Sequence, residues 1–241
     1  MQKSKKSEYL KFLMINTDKE VRQKIGNVMR ENPKAFILFY YFITVMNNAG
    51  NIEDQSKIDY ENIKNATGFS NTTIYRLLKI LIKNELIISS RDSINVCNNY
   101  SVNPKICWKS TLQLRRLNNF DDKSYTFDNF VQMNNTKFIN KSILEDAIKC
   151  PVAFCILFIL IFNMDMKNKV ISCDYKTIME ELEIKQSYLQ LGLKFLRDNN
   201  YINIQRTGRT NIYMINPAIV KSNNDIDIED FAGNSIANKE E

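Results

Sequence analysis

The sequence predicts a mainly helical α+β protein made of two copies of one structural unit. Three observations carry this prediction: two strongly apolar helical runs, a series of matches between the two halves, and two short β-rich stretches at the end of each half. The chain has 241 residues, which is enough for two domains of roughly 100–120 residues each. We therefore expect two domains, each with a small amount of β-structure.

The two halves match in the same order along the chain. Pro33 corresponds to Pro151 inside similar apolar runs, an offset of 118 residues. The offset falls to 115 and then to 113 further on, as expected for a duplication with small deletions in loops. The later matches are Asp59-Tyr60 with Asp174-Tyr175, Leu78-Lys79 with Leu193-Lys194, and Asn103-Pro104 with Asn216-Pro217.

Each half contains the same predicted elements. An apolar helix is followed by a short extended step, a small helix, a tight turn, a longer amphipathic helix and two β-rich stretches. In the first half these are 33–46, 57–59, 60–66, 67–70, 71–84, 86–90 and 94–102; in the second they are 151–164, 170–173, 175–181, 182–185, 186–199, 201–205 and 210–215. Asn-Pro ends the last strand of each half because proline cannot continue a β-ladder.

This order of elements is that of a winged helix-turn-helix domain, so the sequence predicts two of them in tandem. In the first half, Gly68 suits the left-handed turn and Ser70 can cap the helix that follows. The second half has Glu183 nearest the position of that glycine. Thr17 and Glu20 form a capping-box pattern that predicts a helix before Pro33, and a helix at 142–149 is expected before Pro151.

These patterns divide the chain into five predicted segments. They are a basic N-terminal arm and first helix (1–30), winged-helix domain 1 (31–110), a linker (111–140), winged-helix domain 2 (141–222) and an acidic, disordered tail (223–241).

The composition points away from an enzyme. The chain has no histidine, which excludes histidine-based acid–base catalysis, Ser-His-Asp triads and Cys2His2 zinc sites. Its five cysteines form no Cys-x-x-Cys pair, and its six glycines form no nucleotide-binding loop. We expect reduced thiols, no cofactor, no metal and a cytoplasmic location. The longest apolar run, 152–162, is too short to span a bilayer, so no membrane partner is expected.

The charge distribution predicts a polyanionic partner. The net charge is +6, but residues 223–241 hold six acids and one base, which leaves 32 bases and 21 acids in the rest of the chain. A basic body with an acidic tail is typical of nucleic-acid binding, with the tail as an electrostatic competitor.

The helix after the turn of the first half supplies the predicted base-reading face. Ile74, Leu77, Leu78 and Leu81 form the core stripe, and polar residues collect on the other side. Arginine can fork onto guanine, asparagine can pair with adenine and threonine can contact a thymine methyl group, whereas lysines favour phosphates. The candidate DNA-binding residues of this half are Asn71, Thr72, Thr73, Tyr75, Arg76, Lys79 and Lys83, with Arg91 in the wing.

The second half departs from this pattern on its outer face. Leu191 stands where Arg76 stood, and Asp198 would repel phosphate. Its wing carries two arginines around a glycine, so we expect this half to rely on its wing and the first half to read bases through its helix. The candidate DNA-binding residues here are Ser187, Gln190, Lys194, Arg206 and Arg209.

The chain resembles plasmid replication initiators built from two winged-helix domains, and is similar to replication proteins of small plasmids in low-GC Gram-positive bacteria. The stretch 63–81 and the strand-ending sequence 213–217 carry the resemblance. The resemblance implies sequence-specific binding to double-stranded DNA at origin repeats and recruitment of host replication proteins. A homodimer is a further candidate assembly.

Two other functions remain open at this stage. A transcriptional regulator or partition-type DNA-binding protein would share the fold and differ in the site bound. A winged-helix module that binds proteins without binding DNA is favoured by Leu191 and Asp198.

Overall fold

The computed structural model describes residues 12–45, 60–91, 98–108, 130–134, 137–164, 170–207 and 210–220. Within these ranges the protein is mainly helical, with eight α-helices and small antiparallel sheets, which confirms the predicted α+β class. The basic residues at 1–11 and the acidic tail at 223–241 lie outside the described residues.

The helices are α1 (Lys19–Glu31), α2 (Pro33–Val45), α3 (Tyr60–Thr67), α4 (Asn71–Lys83), α5 (Lys137–Lys149), α6 (Pro151–Phe162), α7 (Tyr175–Leu182) and α8 (Gln186–Asp198). The strands are β1 (Phe12–Asn16), β2 (Ile87–Arg91), β3 (Asn98–Val102), β4 (Cys107–Trp108), β5 (Phe130–Asn134), β6 (Val170–Ser172), β7 (Ile202–Thr207) and β8 (Thr210–Ile215).

The turn between α3 and α4 has the chemistry predicted for it. Gly68 has a φ of 69°, in the left-handed region where a Cβ atom is strained. Ser70 is the N-cap of α4, and its Oγ accepts a hydrogen bond of 3.3 Å from the backbone N–H of Thr73. The core stripe of α4 is buried, as predicted; it consists of Ile74, Leu77, Leu78 and Leu81.

The turn between α7 and α8 has a similar left-handed residue, although it contains no glycine. Glu183 takes the left-handed conformation, with a φ of 53°. Asp174 caps α7, where its Oδ1 accepts a hydrogen bond of 2.7 Å from the backbone N–H of Thr177. The buried face of α8 comprises Leu189, Gly192, Leu193 and Leu196.

A β-hairpin follows the last helix of each half. After α4, strands β2 and β3 pair from Ile87 with Val102 to Arg91 with Asn98. After α8, strands β7 and β8 pair, and β6 adds to the outer side of β8 to give the order β6-β8-β7.

The Asn-Pro pair at the end of each hairpin has a structural reason. Asn103 Nδ2 donates to the carbonyl of Glu85 at 2.7 Å, and Asn216 Nδ2 donates to the carbonyl of Asn200 at 2.8 Å. Both acceptors have a positive φ, 56° for Glu85 and 59° for Asn200. Each asparagine therefore ties the end of the hairpin to the left-handed residue at which the chain leaves the preceding helix.

The core between the halves is built from α2 and α6. Residues 35–43 of α2 and 153–162 of α6 are buried all round. Phe36 and Tyr40 of α2 contact Phe154 and Phe158 of α6, with ring centroids 4.8–6.1 Å apart. A helix that is buried all round must pack on several elements, which explains the large aromatic content of α2.

The sequence did not predict the sheet β4-β1-β5. Strand β1 lies within 1–30, where only an arm and a helix were expected, and β5 and the start of α5 lie within 111–140, the predicted linker. Helix α1 begins at Lys19 with Asp18 at the N-cap position, one residue after Thr17. In the part of the chain that the structure describes, no helix has the length and apolarity needed to cross a membrane.

Candidate nucleic-acid interface

Helix α4 presents a polar, cationic face to solvent. Its buried stripe packs mainly on α2, with α1, α3 and β2 at its flanks, so the side opposite the stripe is open to solvent. The helix carries three cations and no acid. The exposed side chains are Asn71, Thr72, Tyr75, Arg76, Lys79, Ile82 and Lys83, and Thr73 is half-buried beside the cap. The structure therefore brings the sequence-predicted residues of this helix together on one surface.

Tyr75 and Lys79 form a pair on this surface. The Lys79 ammonium lies 4.4 Å from the centroid of the Tyr75 ring, while Tyr75 remains 52% exposed. A cation over a ring face is held in place by the ring quadrupole, at about 0.5–1 kcal/mol for an exposed pair. Lys79 is thus oriented next to Arg76, one turn earlier, where a phosphate or a base edge could be contacted.

Lys83 lies at the end of the same face and has a partner within the chain. Its Nζ is 3.2 Å from Oε2 of Glu31 in α1, and both side chains are substantially exposed. An exposed ion pair of this kind contributes only about 0–1 kcal/mol, so a phosphate can compete for the lysine. Arg76 and Lys79 are the stronger cationic positions of the face.

Helix α8 presents a different outer face. Ser187, Gln190 and Lys194 are exposed, as a DNA-contacting role requires. They are interrupted by two large exposed side chains, Tyr188 at 54% and Leu191 at 59%. Helix α4 also exposes two large side chains, Tyr75 at 52% and Ile82 at 39%, so the two surfaces differ chiefly in charge.

The charge at the end of α8 is also reduced. The Oδ1 atom of Asp198 lies 3.4 Å from Nη2 of Arg197, with both side chains exposed. The acid partly neutralises the neighbouring arginine, whereas the corresponding end of α4 carries Lys83. The two helices offer unequal attraction for a polyanion.

The structure describes the arginines of the predicted wings only in part. Arg91 ends β2 opposite Asn98, and Arg206 in β7 pairs with Asn211, but the side chains of both arginines lie outside the described residues. Arg209 lies outside them altogether. Arg91 and Arg206 lie toward the ends of β2 and β7 that are farthest from the preceding helices.

The described residues contain no cluster of three or more histidine, cysteine, aspartate or glutamate side chains that could hold a metal ion. Of the cysteines, Cys155 is almost fully inaccessible, and burial raises the pKa of its thiol. A buried thiol with a raised pKa is a poor nucleophile.

Sequence reasoning missed the strand pair that joins the halves, although a signal for it was present. Phe12-Leu-Met-Ile-Asn16 matches Phe130-Val-Gln-Met-Asn134 at the same offset of 118 that relates Pro33 to Pro151. The repeat therefore begins before α1 and before α5, and it includes β1 and β5.

Sequence reasoning also missed the close approach of α8 to α6. A Cβ atom on Gly192 would lie inside van der Waals distance of the Ile156 side chain and 3.3 Å from Cα of Ala153. In the first half the corresponding position is occupied by Leu77, which is buried.

Comparison with known proteins found no matching family, no matching curated protein and no matching solved structure.

Proposed function

We propose that the chain is a sequence-specific double-stranded DNA-binding protein composed of two winged helix-turn-helix domains, and that it initiates plasmid replication at origin repeats. The observation that carries the DNA-binding proposal is the outer face of α4. It follows a tight turn with a glycine and a serine cap, it is anchored by a buried apolar stripe, and it exposes Arg76 and Lys79 beside Asn71 and Thr72.

The arrangement of elements supports the winged-helix part of the proposal. In the second half, the order α6, β6, α7, α8, β7 and β8, with a sheet ordered β6-β8-β7, is the order expected of a helix-turn-helix domain with a wing. The first half has α2, α3, α4, β2 and β3 in the same order. In such domains the helix after the turn enters the major groove and the hairpin contacts the flanking backbone.

The replication role rests on the resemblance to plasmid initiators with tandem winged-helix domains. A transcriptional regulator or partition protein would use the same face of α4. The two roles differ in the effect of binding: an initiator starts replication of the bound DNA, whereas a regulator changes its transcription. An initiator would also bind host replication proteins.

A second candidate function applies to the second half alone. Tyr188 and Leu191 are exposed one turn apart on α8, where the first half has Thr73 and Arg76. An apolar pair at the centre of a surface is typical of protein contacts rather than phosphate contacts. This half would then bind a protein partner while the first half holds the DNA.

Selection of bound sequences from random duplex DNA tests the DNA-binding proposal. We expect enrichment of one sequence and an affinity that falls steeply with salt. Lys79→Ala should reduce the salt slope by about one unit, as expected for loss of one phosphate contact. Lys149→Ala, which removes an exposed lysine from α5, is the matched control and should leave the slope unchanged. Absence of enrichment would contradict the proposal.

A replication assay tests the proposed role. A plasmid that carries the gene, its flanking DNA and no other origin should replicate in a host, and Arg76→Ala should abolish replication. If the same flanking DNA binds the protein and responds by a change in transcription without replication, the regulator is the correct function.

A further inference from the structure

Strands β1 and β5 are related to each other by an approximate two-fold axis. They are antiparallel, and Leu13 pairs with Met133, Met14 with Gln132, and Ile15 with Val131. Met14 and Gln132 are 118 residues apart, the offset of the sequence repeat. When a residue pairs with its own repeat equivalent, a two-fold axis passes between the two residues, because both halves use the same surface.

The aromatic contacts between α2 and α6 obey the same symmetry. Phe36 contacts Phe154, its equivalent at an offset of 118, with ring centroids 5.4 Å apart. The contact of Phe36 with Phe158 at 4.8 Å has its counterpart in the contact of Tyr40 with Phe154 at 5.0 Å. Both of these cross contacts are edge-to-face, with interplanar angles of 80° and 71°.

The outer elements repeat the pattern. Helix α1 of the first half packs on α7 of the second, and α5 of the second half packs on α3 of the first. At the sheet edges, Ile15 pairs with Cys107, and Met133 forms a bridge with Val220. Cys107 and Val220 are 113 residues apart, the offset found at the end of the repeat. The two halves are therefore exchanged by one rotation of about 180°, as in a symmetric dimer.

We infer that the chain binds an imperfect inverted repeat in DNA. The half-site bound by the first half of the chain and the half-site bound by the second half run in opposite directions. This inference rests on the proposed function. The helices α4 and α8 occupy equivalent positions in halves that a two-fold axis exchanges, so equivalent docking of both on one duplex requires a two-fold axis of the DNA at the centre of the site. Direct half-sites would require a translation along the duplex, which the shared core of α2 and α6 does not provide.

The DNA repeat is expected to be imperfect because the exposed faces of α4 and α8 differ. Arg76 occupies the position in α4 that Leu191 occupies in α8, and Lys83 the position of Asp198. We expect one half-site to be strongly specified and the other weakly specified, so the inverted relation is hidden in the wild-type target. Making the two faces alike should reveal it.

The test is a variant whose α8 carries the outer residues of α4. Its six substitutions are Gln186→Asn, Ser187→Thr, Tyr188→Thr, Gln190→Tyr, Leu191→Arg and Asp198→Lys. All six positions are exposed, so the fold should be retained, and circular dichroism and thermal unfolding check this. Both the wild type and the variant are used to select sequences from random duplex DNA.

We expect the variant to select the strong half-site of the wild type twice, in opposite orientations and at one fixed spacing. It should bind this inverted repeat roughly 100-fold more tightly than a direct repeat of the same half-sites, because only the inverted repeat engages both halves. Selection of a direct repeat, of a single half-site, or of two half-sites at variable spacing would overturn the inference and leave DNA binding intact.

A second measurement does not depend on the variant. Hydroxyl-radical footprinting of the wild type on its selected site should show protected positions on the two strands that are related by a two-fold axis. Protections related by translation would overturn the inference. Failure of both proteins to select any sequence would instead overturn the proposed DNA-binding function.

Discussion

Helices α4 and α8 hold equivalent positions in the two halves, yet they differ in what they present to solvent. Both bury an apolar stripe against a helix that is itself buried all round, α2 for α4 and α6 for α8. On the outside, α4 exposes Arg76 and Lys79, whereas α8 exposes Tyr188 and Leu191. The buried faces of the two helices pack in the same way, whereas their exposed faces carry different side chains.

This difference separates residues that specify the fold from residues available for function. Buried positions must satisfy packing against a fixed neighbour, so they stay apolar in both halves. Exposed positions on a helix cost little to change, with most surface substitutions within about 0.5 kcal/mol of neutral. The difference between Arg76 and Leu191 is therefore not imposed by packing.

The largest expected effect is on stability, and it tests whether the two halves contribute equally to the shared hydrophobic core. Phe36 and Phe154 are buried equivalents in contact across the two-fold axis. Phe36→Ala and Phe154→Ala should each lower the free energy of unfolding by about 3–5 kcal/mol, because each leaves a cavity in the shared core. Urea denaturation measures this. In the double variant the two losses should not add, because the rings share a cavity.

A clear inequality between these two variants would show that one half forms the stable core and the other packs on it. Equal losses with simple additivity would show that the two rings do not share a packing site. Leu191→Ala, at an exposed position, is the control and should leave the free energy of unfolding nearly unchanged.

The second prediction concerns how closely α4 packs on α2 and α8 on α6. Leu77 is buried in α4, which packs on α2, while Gly192 lets α8 lie against Ala153 of α6. Leu77→Ala should cost about 2–5 kcal/mol through a cavity. Gly192→Leu should cost about 1–3 kcal/mol through overpacking against α6. Denaturant unfolding of both variants measures the difference, and a stabilising Gly192→Leu would show that α8 can move away from α6.

The third prediction applies to the outer faces. Arg76→Ala should weaken binding to the selected DNA by about 1–3 kcal/mol, which is roughly 5- to 150-fold in Kd, and relax specificity in one half-site. Leu191→Ala should change DNA affinity much less, because leucine offers no hydrogen bond to a base edge or a phosphate. Fluorescence anisotropy with the selected duplex measures both. Equal effects of the two variants would mean that the halves contribute alike to DNA binding.

The local pattern of the sequence was enough to predict much of the fold. Apolar spacing predicted the buried stripes of α4 and α8, and Gly68 and Ser70 predicted the turn and the cap between α3 and α4. These features depend on residues close together in the chain. The exposed polar set of α4 was predictable for the same reason, because helical periodicity alone places it opposite the stripe.

The contacts between the halves depend on distant residues and could not be predicted in this way. The pairing of β1 with β5 joins segments more than 100 residues apart, and the match of their sequences shows a repeat without showing that the two copies pair. Likewise, nothing local to Gly192 indicates that Ala153 lies against it. The partner of Lys83, Glu31, lies on α1 and depends on how that helix packs.

The smallest expected effect compares the N-terminal caps of α4 and α8. Ser70 caps α4 through its side chain, whereas Lys185 occupies the N-cap of α8 with no side-chain hydrogen bond to the helix. Ser70→Ala should therefore lower the free energy of unfolding by about 1 kcal/mol, and Lys185→Ala should have little effect. Conversely, Lys185→Ser should stabilise α8, because Lys185 has the extended backbone of an N-cap, with φ of −74° and ψ of 154°. Thermal unfolding of the three variants measures these differences, and no gain from Lys185→Ser would mean that the start of α8 is already satisfied by solvent.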